Sequence, residues 1–88
     1  MEKKLYFFAF DITNNESDLL SVLRNIGDVC SCLTKGYFIY TEKTDDQIFD
    51  CVKPIFDNGN GRFVIMEVDK NKMNGWISTE TIDWLKNI

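Results

Sequence analysis

Asp11 is the side chain best placed to do chemistry. It comes near the end of the apolar run Lys4 to Ile12 (KLYFFAFDI), at the rim of whatever that run builds. A carboxylate there can hold Mg²⁺, which prefers oxygen ligands, or meet its own copy across a dimer axis. It can equally accept hydrogen bonds from the next loop or from the first turn of a helix, where negative charge meets the helix dipole. The chain has no histidine. That removes the commonest general base and metal ligand, and it excludes Ser-His and Cys-His nucleophile pairs.

Other reactive or sticky groups have plainer readings beside their sharper ones. Cys30 and Cys32 lie two apart, but a C-x-C without histidine or a second pair is a poor zinc signal, so buried thiols are expected. Cys51 falls beside an apolar helical stripe and reads as core. Asp45, Asp46 and Asp50 gather at the start of a helix. They complement its dipole on a solvated face, or form an acidic patch for a basic protein partner. Trp76 and Trp84 read as anchors of the tail or as interface residues.

The elements that position these groups follow from periodicity. Lys4 to Ile12 reads as a strand with apolar side chains on both faces: Leu5, Phe7 and Ala9 with Asp11, against Tyr6, Phe8, Phe10 and Ile12. Such a strand is covered on both faces. Thr13 to Glu16 has capping-box spacing, and Leu19, Val22, Leu23 and Ile26 make a helical stripe ending at Gly27, a site for a left-handed C-cap. Asp28 to Thr34, the turn Lys35-Gly36 and Tyr37 to Glu42 read as a hairpin. A second capping box, Thr44 to Gln47, starts a helix with Ile48, Val52, Ile55 and Phe56 inward and Pro54 distorting its last turn. Asp57 to Gly61 is a loop, and Arg62 to Asp69 the last strand. Ser78 caps a short closing helix with Ile82, Trp84, Leu85 and Ile88.

The order β-α-β-β-α-β implies one α+β, ferredoxin-like domain over residues 1–88, with a four-stranded antiparallel sheet and two helices on one face. Eighty-eight residues give a thin core, which self-association would supplement. A homodimer, rather than the short tail, is therefore expected to cover the other face. The net charge of −4 disfavours nucleic acid, because the whole surface repels phosphate. No apolar run is long enough for a membrane span, and three cysteines without framework spacing suggest a reducing cytoplasm.

The run LYFFAFDIT, the capped helix, the hairpin with YFIYTE and the closing RFVIMEVD strand resemble the CRISPR adaptation endonucleases of the second Cas family. The tail, RFVIMEV then GWIS then TIDWLKNI, is more similar to their stand-alone SinR-like relatives. The resemblance implies a ferredoxin-like homodimer with facing sheets and a metal-binding aspartate, here Asp11, with Mg²⁺-dependent cleavage of RNA or DNA in some members. The first helix here lacks the arginines that would meet phosphate, and the tail reads as a helix rather than an exchanged strand. The functional expectation is therefore a non-catalytic Cas-two-like interaction module, in phage defence, counter-defence or a toxin-antitoxin system. The alternative is an Mg²⁺-dependent endonuclease with Asp11 pairs, in which no cofactor but Mg²⁺ is implied. A third reading compares Tyr6 and Tyr37 with the base-stacking aromatics of RNA-recognition-motif domains.

Overall fold

The computed structural model of the chain describes residues 2–88. The elements run β1 (Lys4–Ile12), α1 (Glu16–Ile26), β2 (Asp28–Leu33), β3 (Gly36–Thr41), α2 (Asp45–Phe56), β4 (Gly61–Glu67) and α3 (Thr79–Lys86), with short 3₁₀ turns at Asp57–Gly59 and Lys70–Lys72. The four strands form one sheet in the order β2-β3-β1-β4, and every pairing is antiparallel. This is the expected α+β, ferredoxin-like arrangement. β1 sits inside the sheet, between β3 and β4.

The core lies between the sheet and the first two helices. Tyr6, Phe8 and Phe10 of β1, with Tyr37 and Ile39 of β3, meet Leu19 and Leu23 of α1 and Ile48, Val52 and Phe56 of α2. Phe63 of β4 completes it, stacked on Phe8 with ring centroids 5.3 Å apart and tilted against Phe56 at 4.7 Å. Large rings let a thin fold bury much area per residue.

Both helix starts carry capping-box spacing, and only the second uses it. Thr44 accepts from the Gln47 amide, and the Gln47 side chain accepts from the Thr44 amide. α1 instead begins after Asn15, which is left-handed at φ 71° and caps nothing with its side chain. The segment before it is held elsewhere. The Thr13 amide donates to the Asn60 carbonyl at 2.8 Å, and the Asn14 amide to Asn60 Oδ1 at 2.9 Å. Asn60 Nδ2 in turn donates to the carbonyls of Asn14 at 2.9 Å and Ile55 at 2.7 Å. One side chain thus ties the β1–α1 loop to the end of α2, and the capping box gives way to that clasp.

Gly27 also differs from expectation. Its backbone is extended (φ 178°), not left-handed. Glycine is needed for space: a Cβ would lie 2.6 Å from the Tyr40 carbonyl oxygen and 2.7 Å from Thr41 Cβ. The hydroxyl of buried Thr41 donates to the Ile26 carbonyl, so β3 supplies the C-terminal cap of α1. Pro54 lies in the last turn of α2, which ends at Phe56 and passes into the 3₁₀ turn.

The tail departs most from expectation. It covers part of the second sheet face itself. Ser78 caps α3 by accepting from the Thr81 amide at 3.3 Å. Trp84 stacks on Phe38 of β3 with centroids 6.3 Å apart, and the Cys30 thiol of β2 donates to buried Thr81 Oγ1 at 3.7 Å. Lys70 Nζ donates to the Ile88 carbonyl at 2.8 Å and the Leu85 carbonyl at 3.3 Å, which pins the chain end.

The crowding at Gly27 is testable. Gly27→Ala is expected to lose about 1–3 kcal/mol of stability through overpacking against β3. At Gly75 an added Cβ meets nothing within 4 Å, so Gly75→Ala should stay within about 0.5 kcal/mol of wild type. Urea unfolding of both variants checks the contrast, and equal midpoints would refute it.

Candidate functional site

The face turned away from α1 and α2 is unevenly covered. In the strand register Phe7 lies between Phe38 and Met66, Ala9 lies beside Val64, and Asp11 lies beside Arg62. Under the tail, Leu5 and Phe38 are buried. On the β1–β4 half, Val64 is 50% exposed and Met66 44%. An apolar strip therefore stays open beside the covered half, with Asp11 and Arg62 at its rim. β4 has apolar residues in both alternating sets, with Phe63 and Ile65 inward and Val64 and Met66 outward. That alternation was the readable signal for this strip.

Asp11 is held by a cation. Arg62 Nε donates to Asp11 Oδ2 at 3.2 Å, with the side chains 87% and 65% exposed respectively. A pair this wet adds little stability. It does occupy one carboxylate oxygen and sets positive charge where a divalent cation would sit. Among the described residues, no group of three or more acidic, cysteine or histidine side chains is placed to hold a metal ion. Asp11 alone offers an Mg²⁺ too few oxygens, so further ligands would have to come from a second copy, a phosphate or water. A shallow concavity of about 390 Å³ beside Asp11 is also lined by Lys35 and Arg62, but Lys35 is bound to Glu16 at 3.2 Å.

Asp45, Asp46 and Asp50 are all exposed on α2. The Asp46 amide donates to Asp45 Oδ1 at 2.8 Å, as a first-turn carboxylate should. Asp45 and Asp46 edge a shallow groove floored by Phe49, Phe63, Val64 and Ile65. Phe49, 45% exposed, gives this acidic patch an apolar margin.

Tyr6 and Tyr37 do not present free rings. Each is 2% exposed and lies on the helix-covered face. A base cannot stack on either, so the comparison with RNA-recognition motifs fails at the two residues that carried it. The Tyr37 hydroxyl donates to Glu16 Oε2 at 3.1 Å. Burial, with the Glu16 charge beside it, pushes the phenol up to about 12. Burial also raises Tyr6, helped by the charges of Glu67 and Asp45. The outward aromatics of the strands are Phe7, Phe38 and Tyr40; Phe7 and Phe38 meet edge-on at 5.4 Å, and Trp84 already caps Phe38.

The three cysteines are free and half-buried rather than fully in the core. The Cys32 thiol donates to the Gly36 carbonyl at 3.3 Å, where the β2–β3 register slips between Ser31 and Leu33. Burial, then the neighbouring Cys30, pushes its pKa up to about 11.

No family model and no curated protein matches the chain. A hypothetical protein, TT1823 from Thermus thermophilus, has a similar solved structure, with a TM-score of 0.63 at 20% identity over 86% of this chain and 95% of that one. The likeness supports the fold. No helix among the described residues is long and apolar enough to cross a membrane.

Cys32 yields a kinetic prediction. Only the thiolate attacks alkylating agents. With its pKa near 11, Cys32 should label slowly at pH 8 and faster with each step up to about pH 11. Site-resolved mass spectrometry after iodoacetamide pulses checks this, and a labelling rate already at its plateau by pH 9 would contradict it.

Proposed function

We propose that the chain is a non-catalytic, homodimeric interaction module of the Cas-two-like type, acting in a phage-defence, counter-defence or toxin-antitoxin setting in the cytoplasm. The observation that carries this reading is the open apolar strip on β1 and β4, with Val64 50% and Met66 44% exposed on one flat sheet face. A contiguous apolar strip on a small domain marks a protein contact more often than a chemical site. Asp45, Asp46 and Asp50 form an acidic face suited to a basic protein partner, and Asp45 and Asp46 edge a groove that Val64 also lines. The charge of −4 and the absence of histidine fit a protein contact better than a grip on phosphate.

The alternative is an Mg²⁺-dependent endonuclease with Asp11 from each of two copies. One observation favours it: Asp11 shares the sheet face that a dimer would bury, so association would bring two carboxylates toward each other. Against it stands Arg62, already bound to Asp11 at 3.2 Å.

The discriminating experiment sets wild type beside Asp11→Asn, with Mg²⁺ or Mn²⁺, on single- and double-stranded DNA and RNA. The module reading expects no metal-dependent cleavage by either protein, and a stability change of about 0–1 kcal/mol from losing an exposed ion pair. Metal-dependent cleavage that disappears in Asp11→Asn would establish the nuclease instead.

A further inference from the structure

The tail does not close down fully on the sheet. A groove of about 550 Å³ runs between them, within the size range of small-molecule sites. Phe7 and Phe38 line it from the sheet, Ile82 and Leu85 from α3, and Met73 and Ile77 from the strap that leads into α3. Of these six only Phe38 is buried. The other five keep apolar surface uncovered, with Ile82 39% exposed. A folded interior is normally close-packed. Here apolar side chains from three separate parts of the chain border a common space instead of filling it.

The charge of this groove runs against that of the molecule. The chain carries −4 overall, yet among the described residues that line the groove the only charged ones are Lys70 and Lys72. Among the described residues the ion pairs are made by Lys4, Lys35 and Arg62, and neither groove lysine is in one. A lysine ammonium has three N–H donors. Lys70 uses two of them, on the Leu85 and Ile88 carbonyls. Those carbonyls hold it in place and bring no neutralising charge, so one donor and the full positive charge remain. An uncharged apolar ligand would leave both ammoniums unmatched. A small inorganic anion would leave the apolar lining wet. A ligand with one anionic head and an apolar tail answers both.

We propose that the groove between the sheet and the tail is a binding site for a free medium-chain carboxylate, its alkyl chain along Phe7, Ile82 and Leu85 and its head at Lys70 and Lys72. This goes beyond the protein-contact reading above and does not rest on it. The two carboxylate oxygens give each ammonium an acceptor. The groove exists only while α3 is seated on β2 and β3, so a bound carboxylate also holds the tail on the sheet by mass action.

Methyl NMR of the full chain labelled at methionine tests the site, because Met73 lines the groove and Met66 lies on the open β1–β4 strip. Decanoate, kept below its micelle concentration, should shift the Met73 methyl saturably with a Kd of roughly 1 mM or tighter and leave Met66 in place. From hexanoate to octanoate to decanoate, binding should tighten roughly four- to tenfold for each two carbons. Octylammonium has the same tail as octanoate and a charge that the acidic chain as a whole attracts. It should still bind at least about tenfold more weakly, because the local charge decides. Lys72→Gln should weaken decanoate about two- to fivefold, and Ile82→Asp about tenfold or more, with circular dichroism confirming that both variants are folded. No saturable shift at Met73 up to about 10 mM decanoate, a shift confined to Met66, or equal binding of octylammonium and octanoate overturns the proposal.

Discussion

β1 carries large side chains on both of its faces, and the rest of the molecule is arranged around covering them. Tyr6, Phe8 and Phe10 on one face are 5% exposed or less, because α1 and α2 lie directly on them. Leu5 and Phe7 on the other face need a second cover. An interior strand of a two-layer fold normally leaves that side to water and carries polar residues there. Here the residues that follow β4 supply that cover and reach only half of the face. The pinning of the chain end by Lys70, the cap at Ser78 and the Trp84–Phe38 stack all serve that partial cover. The open β1–β4 strip is what remains, and the functional reading grows from it.

The polar interactions share one feature: they close the gaps between elements. Asn60 ties two loops, Thr41 caps α1 from a strand, and Glu16 receives both Lys35 and Tyr37. The described residues hold no buried side-chain nitrogen or oxygen without a partner. The resolved pKa shifts have a common cause. Each belongs to a phenol or thiol held in its neutral form by burial, which is the direction of a packed side chain and opposite to that of an activated nucleophile.

The fold was legible because its signals were periodic. The alternation in KLYFFAFDI, the two helical stripes and the KG turn each specify an element within its own span. The Thr44 capping box was legible for the same reason, since donor and acceptor lie three residues apart. What escaped were interactions whose partners are distant in sequence. Asn60 reaches Asn14, next to the box at Thr13, from 46 residues away. Gly27 looks like a helix terminator, yet it is required by the approach of Tyr40 and Thr41. Arg62 reaches Asp11 across 51 positions, a pairing that strand register creates and no local motif announces. The tail was underestimated on length alone, whereas a stacked indole, a thiol–hydroxyl contact and the Lys70 hydrogen bonds together seat its eight helical residues. Tyr6 and Tyr37 were misplaced because an aromatic strand residue looks the same from either face until the helices choose a side.

The same register bears on Asp11. In the homodimer proposed above, a contact that buried this sheet face would carry both Asp11 carboxylates to its rim. Each arrives with its Arg62, because the pair is made within a single chain at 3.2 Å. The rim of such a dimer therefore gathers two carboxylates and two guanidiniums, and their charges sum to zero. Two bare carboxylates would repel one another and draw a divalent cation to relieve it. Two carboxylates already matched by guanidiniums have less such need, although each keeps its second oxygen free. Arg62 is 87% exposed and free to swing away, so its displacement by a metal is sterically open, with less charge imbalance to drive it. The position that most suggests catalysis in the sequence is thereby one that the fold pairs with a guanidinium, and that pairing supports the protein-contact reading proposed above.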